Sequence, residues 1–214
     1  MDRAFGLDIP VLLEEACRPE RTALIIYDMQ VGIVRQIPAE QNAVANVREV
    51  LDAARAGGFR VFFTRHMSLP NEVAGASQLR TAMAWQRVDQ AEKTKPAFPR
   101  DSPQFQIVPE LAPRPTEAVF DKITMSAFAG TPLDLALRDC RLDSFVIVGI
   151  ALEIGIEPTV RHALDLGYLP ILAVDACGWR DAAAVARTRA QLDFIGGTIL
   201  TDRATVIERF RSTK

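Results

Sequence analysis

Cysteine and histidine are scarce in this chain: 214 residues include three cysteines and two histidines. Cys17, Cys140 and Cys177 are far apart, and no C-x-x-C spacing occurs. That usage suits a reducing cytoplasm rather than a disulfide framework, and it leaves too few ligands for a histidine-rich metal site. No metal and no cofactor is expected. An excess of one charge is also missing. The formal net charge is -2, which argues against a nucleic-acid footprint or a polybasic membrane patch. No stretch approaches the roughly 18 uninterrupted apolar residues of a spanning helix. The opening "MDRAFGLDIP" has no long apolar run, so no signal peptide is predicted. Repeats and domain linkers are absent too. What is there is an ordinary globular composition, 49% hydrophobic and 24% charged, which predicts one domain over residues 1–214 with a well-buried core.

Short apolar runs alternate with segments of helical period. "TALIIYD" (22–28), "RVFFT" (60–64), "EAVFDK" (117–122), "FVIVGI" (145–150), "LPILAVD" (169–175) and "GTIL" (197–200) read as strands. Their apolar residues run on without alternation, as in strands covered on both faces of a parallel sheet. Between them, Val44, Val47, Val50, Leu51 and Ala54 recur at helical spacing before Gly57 and Gly58. "TPLDLALRDC" places Thr131 as a helix cap and Pro132 in the first turn. Further helices are expected to end at Gly167 and Gly196. The alternation predicts an open, doubly wound α/β fold with a mostly parallel sheet. Residues 94–115, rich in proline, read as a long functional loop with one turn of helix at most.

In such a sheet the ligand sits beyond the carboxyl ends of the strands. Those ends carry Asp28, Thr64-Arg65-His66, Lys122, the turn at 150–155 and Asp175. Asp28 follows five apolar residues, and Lys122 closes its own strand. Alone, Asp28 reads either as functional or as a solvated or capping charge, and Lys122 reads first as a solvated charge. Converging in one pocket, an Asp and a Lys perturb each other's protonation and can share a proton-transfer task.

At these positions the chain resembles the isochorismatase-like hydrolases. "TALIIYDMQ" is similar to their opening strand, with Asp28 and Gln30 in the motif positions. "DKITMSAF" resembles their Lys-x-x-x-Ser-Ala-Phe segment through Lys122, Ser126, Ala127 and Phe128. "VGIALEIGIEPTVRHALDLGYLPILAVDACG" resembles their turn, helix and following strand. The resemblance covers about residues 20–202 and implies a three-layer, doubly wound domain. It also implies a small-molecule substrate and a homo-oligomer, most simply a dimer.

The departure is at Gly155. Most of this family are amidases with an Asp-Lys-Cys triad, and the cysteine falls where this chain has glycine. Isochorismatases proper have glycine there and hydrolyse a vinyl ether without a covalent nucleophile. The resemblance therefore implies Asp28 as general acid, Lys122 as its partner, and no acyl-enzyme. It implies oxyanion-binding amides at Ala151 and Gly155, with a cis peptide at Ile150-Ala151.

Other candidates have two readings each. His66 stands near a substrate-contacting glutamine of the isochorismatase branch, or is a plain loop histidine. Arg65, Arg80 and Arg87 are candidates for an anionic substrate group, or solvated arginines. Trp85 and Phe128 line a pocket wall or pack in the core. Glu153, inside the turn, repels an anionic substrate or binds a cationic one, which weakens the case for isochorismate itself, a dianion. Cys177 reads as packing, and neither Cys17 nor Cys140 lies beside a base. Two functions stay open: a hydrolase independent of cysteine, and an inactive family member that binds a ligand or partner. An amidase that has lost its cysteine is a third.

Overall fold

The computed structural model describes residues 1–212. The chain opens with an antiparallel hairpin, β1 (Asp2–Ala4) and β2 (Leu7–Ile9), and a helical turn, α1 (Leu13–Ala16). Then follow β3 (Thr22–Tyr27), the short α2 (Val31–Val34), α3 (Ala43–Ala56), β4 (Arg60–His66), α4 (Ala76–Gln86) and β5 (Ala118–Lys122). The second half holds α5 (Leu133–Asp139), β6 (Ser144–Ile150), α6 (Glu157–Asp165), β7 (Leu169–Gly178), α7 (Ala182–Ile195), β8 (Ile199–Thr201) and α8 (Arg203–Arg211). Strands β3 to β8 form one six-stranded sheet in the order β5-β4-β3-β6-β7-β8, every pair parallel.

The two central strands, β3 and β6, are buried along their whole length, which is why their sequences show no alternation. Successive side chains nevertheless enter opposite layers. Leu24, Ile26, Val146 and Val148 pack with Val47, Val50, Leu51 and Ala54 of α3 and with Val206 and Phe210 of α8. Ala23, Ile25, Phe145 and Ile147 pack with Leu133 and Leu137 of α5, Val160 of α6 and Leu192 of α7.

Among the elements that escaped the sequence reading are the N-terminal hairpin, α4 and α8. The hairpin exposes Phe5 and Leu7, and α4 buries none of its residues, so neither carries an apolar stripe to recognise. Helix α8 does carry one: Val206 and Phe210, four apart, are buried, and Phe210 packs 4.3 Å from the Phe59 ring. Its start was also readable, since the Asp202 side chain accepts the Thr205 amide at 2.8 Å. The expected cap of α5 is corrected by one residue. Pro132 is the cap residue, while the Thr131 hydroxyl accepts the Leu133 amide at 3.2 Å. Within 94–115 the regular structure is a short 3₁₀ turn, Pro109–Leu111.

The chain runs outward from β3 through β4 to β5, then returns to β6 on the other side of β3. That reversal makes a topological switch point, with a crevice beyond the strand ends of β3 and β6. Among the described residues no helix is long and apolar enough to cross a membrane.

Candidate active site

β3 delivers Asp28 into the crevice in a left-handed conformation, φ +49°, which Asp tolerates better than most residues. Its amide donates to the Thr64 carbonyl at 3.2 Å, tying the turn to β4. Asp28 is 4% exposed. Oδ1 accepts the Thr64 hydroxyl at 2.7 Å, and Oδ2 accepts Lys122 Nζ at 2.6 Å. Lys122 comes from the end of β5, two strands away, so its long stem is needed to reach. Nζ also donates to the Tyr27 hydroxyl at 2.8 Å and to the Thr124 carbonyl at 3.1 Å. All three ammonium protons are therefore placed, the condition under which a buried charge is tolerated. Burial pushes the Lys122 pKa below the ordinary lysine value, against the opposing pull of Asp28.

Gln30, the other motif residue of β3, is a stitch. Nε2 donates to the carbonyls of His66 and Phe105 at 3.0 and 2.9 Å, and Oε1 accepts the His66 amide at 2.6 Å. The buried side chain thus joins β3, β4 and the 94–115 segment behind the cavity. Tyr27, the last residue of β3, is 2% exposed. Its hydroxyl donates to the Met125 carbonyl. Burial above all, with Asp28 beside it, pushes the phenol pKa well above its ordinary value, so Tyr27 is a neutral phenol.

The end of β6 is built from backbone. Gly149 has φ +135°, and a Cβ there would lie 2.0 Å from the Tyr27 carbonyl oxygen, so only glycine lets β3 and β6 approach this closely. The Ile150-Ala151 peptide is cis. One π-helical turn follows, Leu152–Ile156, in which the Ala151 carbonyl accepts the amides of Ile154, Gly155 and Ile156 at 3.3, 3.1 and 3.2 Å. At Gly155 a Cβ would lie 2.0 Å from the Tyr27 hydroxyl.

Tyr27, Asp28, Ala151 and Gly155 share a small cavity of about 60 Å³. Its wall is mostly apolar, from Ile33, Ile37, Ile150, Ile154, Phe98 and Met125. His66, Trp85, Phe98 and Met125 also line a groove of about 560 Å³ that runs along α4. The His66 pKa is lowered, first by burial and then by Lys122, so the ring is neutral near pH 7.

Of the residues read from sequence, Asp28, His66, Trp85, Ala151 and Gly155 line the cavity, with Lys122 directly behind Asp28. Others lie elsewhere. Phe128 is core, stacked 5.5 Å from the Tyr168 ring. Arg65 pairs with Asp121 at 2.7 Å and lies 4.3 Å over the Phe105 ring. Arg80 and Arg87 are exposed and off the cavity. Glu153 Oε1 accepts the amides of Arg180 and Asp181 at 2.8 and 3.0 Å, which anchors that segment from behind; its Oε2 is buried without a partner among the described residues. Asp175 accepts the Arg203 amide at 2.6 Å and starts α8. Burial raises the thiols of Cys17 and Cys177 to about 12, far from a thiolate.

The sequence reading missed Tyr27, Gln36, Met125 and Arg180 on the cavity wall. Arg180 is exposed, and its guanidinium has no partner among the described residues. No sequence signal marks it, because the sheet brings it to the crevice from the far end of β7.

This arrangement has relatives. Residues 22–203 match the model of the isochorismatase domain. An uncharacterized isochorismatase family protein, YwoC of Bacillus subtilis (strain 168), is 35% identical over 160 residues, which cover 73% of this chain and 77% of that protein. The ureidoacrylate amidohydrolase RutB of Serratia proteamaculans (strain 568) is 30% identical over 179 residues, covering 75% and 71%. Among solved structures, a cysteine hydrolase from Pseudomonas syringae pv. phaseolicola 1448A superposes with a TM-score of 0.77 at 26% identity, covering 93% of this chain and 96% of that one. With its switch-point crevice and its Asp28–Lys122 pair, the chain belongs to the isochorismatase family.

Proposed function

We propose that this protein is a small-molecule hydrolase in which water is the attacking group, Asp28 is the general acid and base, and Lys122 is its proton partner. The observation that carries the reading is the buried Asp28–Lys122 pair, 2.6 Å apart, on a cavity whose remaining corner, Gly155, has no side chain. Such a pair holds one transferable proton. It rests on Lys122 with Asp28 ionised, or on Asp28 with Lys122 neutral, and burial of Lys122 brings the second form within reach. With an enol ether, the Asp28 carboxyl gives its proton to the vinyl carbon. Water adds to the oxocarbenium carbon, and its proton returns to Asp28. The hemiketal then collapses to a carbonyl and an alcohol. Arg180, an exposed lining residue whose guanidinium has no partner among the described residues, suits an anionic substrate group, and the apolar wall suits a compact carbon skeleton. Glu153 points to the 180–181 amides, which occupy one of its oxygens.

Relatives named as a ureidoacrylate amidohydrolase and an N-carbamoylsarcosine amidase support a hydrolase and add ureido compounds to the substrates worth testing. Isochorismate, ureidoacrylate and N-carbamoylsarcosine form the first panel. Asp28→Asn keeps shape and polarity but cannot carry the proton. On any substrate turned over, it should lose at least about 10²-fold in kcat, the lower end for general acid catalysis. Equal turnover by wild type and Asp28→Asn would remove Asp28 from the reaction. A pocket that binds panel compounds without turnover would favour the ligand-binding reading. The family reading also carries a homodimer, which sedimentation at micromolar concentration checks.

A further inference from the structure

The volume at residue 155 is already filled. A Cβ built on Gly155 would lie 2.0 Å from the Tyr27 hydroxyl oxygen, 2.6 Å from Cζ and 2.7 Å from Cε1. The far end of a side chain can often swing aside, but this one is pinned. Its hydroxyl accepts from Lys122 at 2.8 Å and donates to the Met125 carbonyl. Lys122 Nζ also lies 4.3 Å from the ring centroid, and the ring is packed with Leu152 and Ile156. Moving the phenol would orphan a buried ammonium proton and open a void. A side chain at 155 and the phenol of Tyr27 therefore exclude each other.

We propose that Tyr27 decides the reaction class of this site: its phenol takes the place a nucleophile at 155 would occupy, and its hydroxyl holds Lys122 for proton transfer with Asp28. This rests on the water-attack reading above and sharpens it. The phenol is not a substitute nucleophile, because burial keeps it protonated and its proton is given to Met125. Tyr27 is a positioning residue that acts through Lys122.

The test needs no substrate, so its failure is separable from failure of the Asp28 assay. Wild type, Gly155→Cys, Tyr27→Leu and the double variant form a thermal-unfolding cycle. Overpacking should lower the Tm of Gly155→Cys by roughly 5–10 °C. The double variant should be more stable than the sum of the singles by at least about 4 °C. In the folded double variant, iodoacetamide should alkylate the thiol introduced at position 155 at least about 100-fold faster than Cys177, read by peptide mass mapping. If Gly155→Cys fails to fold and the double variant folds, the exclusion is read directly. If neither folds, the same cycle with Gly155→Ala reads it. Additive Tm shifts, or an introduced thiol as inert as Cys177, would overturn the occupancy. For the positioning role, Tyr27→Phe keeps the ring and removes one acceptor from Lys122. The titratable groups facing Nζ are Asp28, Tyr27 and His66, beside the Thr124 carbonyl. An ¹⁵N titration of Lys122 should then move lower, by on the order of one pH unit, with the fold intact. An unchanged titration would reject that role.

Discussion

The sheet ends differently on the two sides of its switch point. On one side, β3, β4 and β5 lead to Tyr27-Asp28, His66 and Lys122, polar side chains of which Lys122 bonds to both Tyr27 and Asp28. On the other, β6 gives way past Gly149 to a backbone-built turn, with no side chain at Gly155 and apolar ones at Ile150 and Ile154. The contrast has a steric cause. The phenol and the charged pair need room across the crevice, and the β6 side leaves it by having no side chain where Tyr27 stands.

The contrast can be broken hardest on its polar side. Lys122→Met leaves a buried carboxylate with one partner and should cost about 3–5 kcal/mol in chemical denaturation, as loss of one member of a buried ion pair does. A cost under about 1 kcal/mol would mean the pair is solvated and its burial incidental. His66 gives a smaller, pH-dependent effect. Its folded pKa lies below 6.5, so the unfolded chain binds the proton first. Stability should therefore fall as pH drops from about 6.5 toward the folded value, with a slope of at most about 1.4 kcal/mol per pH unit. His66→Gln should flatten that slope in urea unfolding at pH 5 to 7; an unchanged slope would assign it to other groups. The smallest effect belongs to the β6–β7 side. Cys177, a buried thiol that donates to the Ala173 carbonyl at 3.4 Å, is packing. Cys177→Ala should leave kcat/KM within about twofold of wild type. A large loss there would restore a thiol to the mechanism.

Much of the fold was legible. The unalternating runs at 22–28 and 145–150 became the buried centre of the sheet, and the order of strands and helices follows from their alternation. Elements without a buried stripe, α4 and the N-terminal hairpin, were not legible, because the reading rests on burial patterns. The candidate site divides in the same way. Asp28 and Lys122 stood out as charges at the ends of apolar strands. Arg180 and Tyr27 did not, the first because it lies past its strand, the second because a tyrosine after four apolar residues reads as core.

By itself, the sequence determined the alternation of strand and helix, the glycine at 155 and the placing of an acid and a lysine at strand ends. These are local properties, written in periodicity and in single residues. Only the tertiary structure decided that Lys122 reaches Asp28 across β4, that Gln30 stitches three segments, and that the phenol of Tyr27 fills the space above Gly155. Those are distances between residues remote in the chain, 94 positions for Lys122 and Asp28. They are set by which strands the sheet places side by side, and no local pattern encodes them.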